Sequence, residues 1–430
     1  MKGGEKMKKF FFVFFVFVCL SSFAFASENN GTNWYDTLFL KSSEYNFQLI
    51  RTMGYTYSGG ADIGECISTV RRIEDGDGNS WFDEWMKTAN GVYEFALSSK
   101  KEGHLTSAEE AFLRASNYYR TAGFFSHSKE DRDRSMISWR KSRESFLRAL
   151  RYMPNIIPIR IPYEKTTLPG YFVKGKTHLK KPPLLIIHTG FDGTGEELYF
   201  EIAHFAAKRG YNCLIFEGPG QGAVIRLQNI PFRYDWEKVV TPVVDYAITR
   251  NDVDSNKIAL IGISMGGYLA PRAVAFEHRI KACIADGGIF DFSENRYKSM
   301  PKELIELLKT DKAKFNEYIG EVMEKDVTAR WFFNNGMMVF DVDTPADVML
   351  TIRKYTLKDV VQYIKADMLI INSESDYTLK GQAKKLYDNL KSPKDFYLFT
   401  KDQSAQAHCQ MGAIAISNEV IFNWLDKIMK

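Results

Sequence analysis

The sequence predicts an α/β protein in which a mostly parallel β-sheet is flanked by helices and follows a helical N-terminal region. Three features of the chain indicate this fold class. Apolar residues recur at helical spacing in the first third, short apolar runs alternate with helical segments after Pro154, and a serine between glycines joins one such run to a helix. Alternating strands and helices are typical of a parallel sheet that is covered on both faces.

The first 26 residues have the composition of a secretory signal peptide. Four lysines precede the apolar run Phe10–Leu20, and Ala24-Phe25-Ala26 offers a small-residue cleavage site. A membrane-spanning helix needs about 20 apolar residues, so this shorter run predicts no stable span. We expect cleavage after Ala26 and a secreted or periplasmic protein. An uncleaved anchor or a buried N-terminal helix is the alternative.

Residues 27–154 are expected to form a helical cap domain. Helical spacing is clearest in Glu109–Ala122 and Trp139–Tyr152. The segment Asp75–Asn79 is similar to a calcium-binding loop, but it lacks the glycine and the glutamate that such a loop requires. A polar turn, capped by Ser or Asn and leading into a helix, is therefore predicted there.

Residues 155–430 are expected to form the catalytic domain, with a helical lid inserted at about residues 292–365. Eight strand-like runs are present, namely Ile159–Tyr163, Tyr171–Val173, Pro183–His188, Asn212–Phe216, Lys257–Ile263, Lys281–Ala285, Met368–Asn372 and Phe396–Phe399. A helix is predicted over Glu196–Arg209. Within the insertion, helices are predicted over Lys302–Lys309, Lys312–Lys325 and Pro345–Leu357. An insertion between two sheet strands commonly covers a site at their carboxyl edge.

Ser264 is the predicted nucleophile. It lies in Gly262-Ile-Ser264-Met-Gly266, a G-x-S-x-G pattern between an apolar run and a helix. The glycines permit a tight turn, because a side chain at either position would clash where the strand meets the helix. The turn presents the hydroxyl at the edge of the sheet, above the positive end of the following helix. A plain strand–helix turn is the alternative interpretation.

A serine hydroxyl requires a base, and in this arrangement the chain order is serine, acid, histidine. Only His278 and His408 follow Ser264. His278 is expected inside the helix after the serine and facing away, so His408, in the loop after the last strand, is the predicted base. Asp376 is the predicted acid that orients His408. Glu374 and Asp286 are the alternatives.

The oxyanion of an acyl-transfer reaction requires preformed backbone donors. The amide of Met265 directly follows the nucleophile and is the first predicted donor. The second should come from the glycine-rich loop His188–Gly195, where Phe191 is the first choice and Gly190 the next. Thr194 and Glu197 are predicted to form a capping box at the next helix.

Several function classes are excluded. Lys and Arg number 57 against 53 Asp and Glu, which gives no basic surface for nucleic acid. The Gly218–Gly222 turn lacks the spacing of a phosphate-binding loop, and no metal-ligand spacing of His or Cys is present. We therefore expect no cofactor and no metal. The four cysteines after residue 26 are scattered, and buried free thiols are favoured over disulfides.

Six stretches together resemble the α/β-hydrolase superfamily, and within it the branch with a helical N-terminal domain that includes dihydroxypseudooxynicotine hydrolase and fungal polyketide-shortening hydrolases. They are Gly59–Asp62, Arg114–Arg120, Gly190–Gly193, Glu217–Gly222, Gly262–Gly267 and Ala407–Gln410. The resemblance implies an α/β-hydrolase fold and the triad Ser264, Asp376 and His408. Some relatives cleave carbon–carbon bonds beside a ketone and others are esterases. The extra acid of the carbon–carbon enzymes has no match here, although Glu294 is near.

The expected function is a secreted serine hydrolase that cleaves ester or ketone-adjacent carbon–carbon bonds of a small hydrophobic carbonyl substrate. The near-neutral, aromatic composition favours such a substrate over a polymer. The resemblance also implies a homodimer. Two alternatives stand beside this function: a peptidase for short or acylaminoacyl peptides, and a non-catalytic binding protein on the same fold.

Overall fold

The computed structural model describes residues 33–376 and 378–429. The predicted signal peptide, residues 1–26, lies outside the described residues. Within the described residues, no helix has the length and apolar character needed to cross a membrane. The cysteines of this part of the chain are all free and buried, as the sequence predicts: Cys66, Cys213, Cys283 and Cys409.

Within the described residues, the N-terminal part contains five α-helices. They are α1 (Ser43–Gly54), α2 (Ile63–Val70), α3 (Gly78–Lys101), α4 (Leu105–Ala122) and α5 (Arg132–Ala149). Helix α3 follows the polar turn predicted at residues 75–79. Its cap is Asp77, whose carboxylate accepts from the Asn79 amide at 2.8 Å, and not a Ser or Asn as predicted. An aspartate satisfies a free helix amide equally well and adds negative charge near the positive end.

The eight predicted strands all form. They are β1 (Ile156–Tyr163), β2 (Thr166–Val173), β3 (Leu184–His188), β4 (Asn212–Phe216), β5 (Ile258–Ile263), β6 (Ala282–Asp286), β7 (Asp367–Ser373) and β8 (Lys394–Phe399). They make one sheet in the order β1-β2-β4-β3-β5-β6-β7-β8. Strands β1 and β2 are antiparallel to their neighbours, and β3 to β8 are parallel.

Alternate residues of the central strands face two separate hydrophobic cores. On strand β3, for example, Leu185 and Ile187 pack in the core that also contains α1 to α4 and the C-terminal helix α17 (Ile414–Met429), whereas Leu184 and Ile186 pack in the other. The other core contains α9 (Glu237–Ile248) and α10 (Gly266–Val274). The carboxyl ends of the strands, where the loops gather, are left for a site.

The segment after β3 departs from the regular helix predicted over Glu196–Arg209. It forms α6 (Gly195–Leu198), a π-helical turn (Tyr199–Ala203) and α7 (His204–Lys208). A π turn accommodates one extra residue in a helix. Glu196 and Glu197 before it and Ala206 after it are all buried. Nearly every position of the segment is buried, so no regular alternation of buried and exposed residues exists that the extra residue could interrupt. The sequence therefore gives no sign of the π turn.

Between β6 and β7 the chain is helical, and it contains two helices that the sequence analysis missed. The predicted ones appear as α12 (Lys302–Thr310), α13 (Lys312–Lys325) and α15 (Pro345–Ile352). The additional helices are the short α11 (Glu294–Ser299) and α14 (Val327–Phe340). Helix α14 has apolar or aromatic residues around most of its circumference, so it shows no clear apolar stripe.

Candidate active site

Ser264 lies in a strained turn between β5 and α10. Its φ of +61° is in the left-handed region that non-glycine residues rarely adopt. The Ser264 amide donates to the Asp286 carbonyl at 2.9 Å, and the Ser264 carbonyl accepts from the Gly267 amide at 2.7 Å. These backbone bonds hold the turn, and the Ser264 side chain stays partly accessible at the carboxyl edge of the sheet.

The glycines beside Ser264 are required by close backbone approach. A Cβ on Gly262 would overlap the carbonyl group of Gly266, and a Cβ on Gly267 would overlap the carbonyl group of Gly287. Side chains at these two positions would separate helix α10 from strands β5 and β6. The steric reason given for the glycine pattern is therefore confirmed at Gly262. It is weaker at Gly266, where a Cβ would come no closer than 3.2 Å to the nearest atom, the Thr189 carbonyl oxygen.

The structure brings His408 between Ser264 and Asp376. The His408 Nε2 atom is 2.9 Å from the Ser264 Oγ, and the His408 Nδ1 is 2.5 Å from the Asp376 Oδ2. The Asp376 side chain is 3% exposed and the His408 side chain 30% exposed, so only the histidine reaches a solvent-accessible space. The other oxygen of Asp376 accepts from the Leu379 amide at 3.3 Å.

The charge environment of His408 favours its protonated form. Burial alone would lower the pKa of His408, but the carboxylate of Asp376, with smaller contributions from Asp286 and Asp192, outweighs it and raises the pKa above its ordinary value. The imidazole is therefore a stronger base than an isolated histidine. Such a base is suited to accept a proton from a neighbouring hydroxyl.

Asp286, an alternative acid in the sequence analysis, holds the loop of His408 instead of contacting its ring. Its carboxylate accepts from the Gln410 side chain at 3.0 Å. Gln410 also donates to Ser373 at 3.1 Å and accepts from Ser417 at 2.6 Å. Burial raises the pKa of Asp286 to about 6. The fully buried Gln410 amide thus ties the histidine loop to two strands and to α17.

Three other residues weighed as candidates from their sequence positions lie away from Ser264. Glu374 accepts from the Lys401 amide at 2.8 Å, outside hydrogen-bond contact with His408. His278 was expected inside helix α10, but the helix ends at Val274, and the His278 ring lies beside the carbonyls of Ala275 and Tyr363. Glu294 is paired with Lys385 at 2.9 Å, and hydrogen bonds from lysines lower the pKa of Glu294 to about 2.

The glycine-rich loop after β3 lies directly against the Ser264 turn. A Cβ on Gly190 would be 2.5 Å from the Met265 amide nitrogen and 3.0 Å from that of Gly266. Only a glycine permits this approach. Among the described residues, the amides of Met265 and Phe191 have no protein acceptor. The two amides chosen from sequence therefore lie in neighbouring, tightly packed turns.

Side chains from three directions fix this glycine-rich loop. The Gln221 amide donates to the Thr189 carbonyl at 2.6 Å, from the Gly218–Gly222 turn. The Asn335 amide of α14 donates to the Phe191 carbonyl at 2.9 Å. Arg51 of α1 donates to the Asp192 carboxylate at 2.7 Å. The Gly218–Gly222 turn thus supports the loop, in agreement with its assignment as a turn beside the cleft.

Arg51 is the centre of a buried charge network that sequence reasoning missed. Besides Asp192, it contacts Glu197 through two nitrogens at 2.8 Å each. Glu197 also accepts from Tyr55 at 2.8 Å and lies 3.4 Å from Arg120.

Glu197 does not complete the predicted capping box, because its carboxylate bonds to these partners instead. Only the Thr194 hydroxyl contributes, accepting from the Glu197 amide at 3.4 Å. Burial raises the pKa of Glu197, but Arg120 and Arg51 outweigh it, and the pKa falls to about 2.

His188, at the end of β3, is fully buried beneath the loop. Its Nδ1 is 3.0 Å from the Thr189 carbonyl, and its ring packs on Phe216 and Trp236. Burial lowers the pKa of His188 to about 4, so the ring is neutral at physiological pH. His188 has no contact with Ser264, in agreement with its predicted role outside the reaction. Across the described ranges, no cluster of three or more His, Cys, Asp or Glu side chains could hold a metal ion.

Comparisons with known proteins agree with this architecture. The family of the alpha/beta hydrolase fold matches residues 182–396. Hydrolase LUC6 of a Fusarium species is 32% identical over 405 residues, covering 90% of this chain and 96% of the relative. The 20-hydroxy-prefusarin hydrolase FUS2 of Gibberella moniliformis is 32% identical over 404 residues, with the same coverage.

Among solved structures, the 2,6-dihydroxy-pseudo-oxynicotine hydrolase has a similar fold. The two superpose with a TM-score of 0.68 at 20% identity, over 88% of this chain and 95% of that one. The similarity thus includes the helical N-terminal region as well as the sheet. With the eight-stranded sheet and the relatives named above, it shows that the chain belongs to the α/β-hydrolase fold family and is a hydrolase.

Proposed function

We propose that the protein is a serine hydrolase that cleaves an ester, or a carbon–carbon bond beside a ketone, in a small hydrophobic substrate. The observation that supports this most directly is the hydrogen-bonded chain from Ser264 through His408 to Asp376, with distances of 2.9 and 2.5 Å. A hydroxyl, an imidazole and a buried carboxylate in this order form the constellation used for nucleophilic acyl transfer.

In the proposed mechanism, His408 Nε2 accepts the proton of the Ser264 hydroxyl as its oxygen attacks the substrate carbonyl. Asp376 fixes the imidazole so that Nδ1 carries the other hydrogen and stabilises the cation that forms. The amides of Met265 and Phe191 donate to the developing oxyanion. The protonated His408 then protonates the leaving group, and an acyl-Ser264 intermediate remains. Water, activated by His408, releases the acid.

The surroundings of the proposed oxyanion loop favour an apolar substrate body. The Phe191 ring contacts Phe292, Trp331, Phe332 and Phe340, with ring centroids between 5.6 and 6.0 Å apart. Three of these rings come from α14. Aromatic rings at such spacing contribute apolar area and a rigid wall. The aromatic rings around this loop therefore favour a small hydrophobic carbonyl compound as the substrate over a polymer.

Covalent labelling tests the nucleophile. We expect a fluorophosphonate probe to label the wild-type protein at Ser264, and we expect Ser264→Ala to lose both labelling and ester hydrolysis, the latter by at least about 1000-fold. Ser98→Ala is the matched control, because its hydroxyl lies exposed on α3 and donates to Glu102 at 3.0 Å, away from the loops around Ser264. Labelling of Ser264→Ala at an unchanged rate would disprove the assignment.

A substrate panel tests the bond that is cleaved. It contains p-nitrophenyl esters, β-diketones and aminoacyl amides, assayed with the wild-type protein and Ser264→Ala. Turnover of esters or β-diketones supports the proposal, whereas exclusive cleavage of amides would favour a peptidase. Absence of turnover together with tight ligand binding would favour a binding protein.

The location and assembly are separate proposals. We propose that residues 1–26 direct secretion and that the mature chain begins at Ser27, because the composition of this segment is typical of a signal peptide. N-terminal sequencing of exported protein tests this. We also propose a homodimer, which sedimentation analysis of the mature chain tests.

A further inference from the structure

Arg296, on the short helix α11, packs its guanidinium on two aromatic rings. Its Cζ lies 4.5 Å from the centroid of Phe292 and 4.4 Å from that of Phe332. One terminal nitrogen donates to the Phe292 carbonyl at 3.0 Å. These contacts restrict the orientation of the guanidinium. The rings provide no acceptor for the remaining N–H groups.

No carboxylate of the described chain pairs with Arg296. Its Nε is buried and has no hydrogen-bond acceptor there. The buried arginines around the network of Arg51 differ, because Arg51 contacts Asp192 and Glu197, and Arg143 contacts Glu196. Burial lowers the pKa of Arg296 to about 10, and the charge of Asp376 only partly offsets that effect. Both Asp376 oxygens are already engaged, by His408 and the Leu379 amide.

The position of Arg296 is next to the proposed reaction centre. Its two ring partners, Phe292 and Phe332, pack on Phe191 at 6.0 and 5.6 Å, on the side of the proposed oxyanion loop. On the other side, the neighbouring Asn295 donates to the carbonyls of Thr378 and Lys380 at 3.1 and 3.0 Å, directly after Asp376. Arg296 therefore lies between the oxyanion loop and the acid loop.

Arg296 as a whole is half-buried, and a cation that is partly removed from water without a counterion is costly unless a ligand supplies one. An arginine that packs on aromatic rings and has free N–H groups is suited to a carboxylate, which accepts two parallel hydrogen bonds. We propose that Arg296 is a specificity-determining residue that binds a carboxylate on the substrate, so that the preferred substrate has an apolar body and one anionic group. The identity of the cleaved bond rests on the proposed function, whereas the carboxylate site does not.

Binding without turnover tests the site independently of the nucleophile. The probes are 4-phenylbutyrate and its neutral amide, titrated by calorimetry into Ser264→Ala. We expect the carboxylate to bind at least about 10-fold more tightly than the amide, the size of one charge-assisted hydrogen-bonding interaction. Adding Arg296→Gln should remove the difference. Equal affinities in Ser264→Ala, or an unchanged difference in the double variant, would overturn the proposal.

Kinetics with a matched pair of esters give the second test. The mono-p-nitrophenyl ester of glutaric acid presents a carboxylate, and p-nitrophenyl pentanoate does not. We expect the ratio of their kcat/KM values to fall about 30-fold in Arg296→Gln, mainly through KM, and less in Arg296→Lys, which keeps the charge but not the planar fork. Arg353→Gln is the control, an exposed arginine over Tyr297 on the same insertion.

The outcomes separate the two proposals. An equal loss on both esters in Arg296→Gln, with an unchanged ratio, indicates a structural role and overturns the carboxylate site. Turnover of neither ester by the wild-type protein contradicts the proposed esterase function, while calorimetry still decides whether Arg296 binds a carboxylate. Circular dichroism and the Tm of Arg296→Lys and Arg296→Gln verify that the variants fold.

Discussion

Asp376 sets the charge state of His408, and this contact leads to a pH prediction. In the proposed mechanism the base His408 must be neutral to act, so kcat/KM should fall as the pH drops through the raised pKa of His408. In Asp376→Asn the largest raising influence is lost while burial remains, so the acidic limb of the pH profile should move to lower pH. The rate itself should fall by about 10,000-fold. The measurement is kcat/KM against pH with an activated ester.

Glu374→Gln is the matched control for Asp376→Asn. It changes a carboxylate two residues earlier that bonds to the Lys401 amide instead of to His408. Its pH profile should coincide with that of the wild type. An acidic limb that stays in place or moves upward in Asp376→Asn would show that Asp376 does not raise the pKa of His408.

Because the His188 ring is buried and neutral, we expect the free energy of unfolding to decrease in acid. Its folded pKa of about 4 lies below the ordinary value of 6.5, so the unfolded chain takes up the proton first. The stability that comes from keeping His188 neutral is fully present above pH 6.5 and is lost as the pH falls toward 4. The difference between the two pKa values corresponds to about 3 kcal/mol in the free energy of unfolding. Urea unfolding at several pH values should show a smaller slope in His188→Gln than in the wild type.

The exposed His104 provides the comparison for His188. Its side chain is 66% exposed, so His104→Gln makes the same replacement at the surface and should leave the free energy of unfolding at neutral pH nearly unchanged. A His188→Gln slope equal to that of the wild type over this window would contradict the assignment of a buried neutral ring.

At the residue scale, the sequence predicts the site residues that belong to a short motif or follow a known chain order. Ser264 has a signature of five residues, and His408 and Asp376 follow from chain order. Arg51 and Arg296 have no such pattern. The partners of Arg51 lie 141 and 146 residues away, and the importance of Arg296 depends on an absent counterion, which only the packed structure displays.

At the scale of elements, the contact of the glycine-rich loop with the Ser264 turn is decisive. Gly190→Ala would place a methyl group 2.5 Å from the Met265 amide nitrogen, so the loop must move away from the proposed oxyanion site. We expect a fall in kcat of at least about 100-fold, since removal of one oxyanion donor has an effect of that size. KM should change much less, because three of the aromatic rings beside the loop belong to α14 and stay in place. Steady-state kinetics give both values.

Gly320→Ala is the control substitution. Gly320 lies inside α13, and a Cβ there would meet no atom within 4 Å apart from its chain neighbours and the backbone of its own helix. Its replacement should leave the kinetics unchanged and stabilise the protein by about 0.5–1 kcal/mol, since alanine restricts the unfolded chain more than glycine. Equal kinetics for Gly190→Ala and the wild type would contradict a tight approach of the two turns.

Most elements could be predicted, and the exceptions have physical reasons. The strands are short apolar runs bounded by Pro, Gly or charged residues, and all eight form. Seven lie within three residues of the expected bounds, whereas β2 begins five residues before the predicted start at Tyr171. Helix α14 was missed because most of its circumference is apolar, which removes the amphipathic signal. The division into domains at residue 154 stays a prediction, although the helices do end and the sheet begins near it.

At the scale of the whole molecule, the helical N-terminal part and the sheet share one core. Side chains of α1 to α4 and of strands β2 to β7 belong to the same cluster of buried residues, and Phe124 stacks on Trp331 of the insertion at 5.2 Å. We therefore expect a single cooperative unfolding transition. Far-UV circular dichroism and tryptophan fluorescence in urea should give coincident curves. Separate transitions would mean that the helical part folds on its own.

The π turn at Tyr199–Ala203 has a consequence for how this molecule tolerates changes in chain length. Because a π turn holds one residue more than a turn of α-helix, deleting one of its five residues would leave a regular helix and keep α6 and α7 in nearly the same relative orientation. The acids that meet Arg51 and Arg143 and the residues packed on the sheet would then still face their partners. We therefore expect this segment to tolerate a one-residue deletion better than a regular stretch of helix, where the same deletion would rotate the two halves by about 100°.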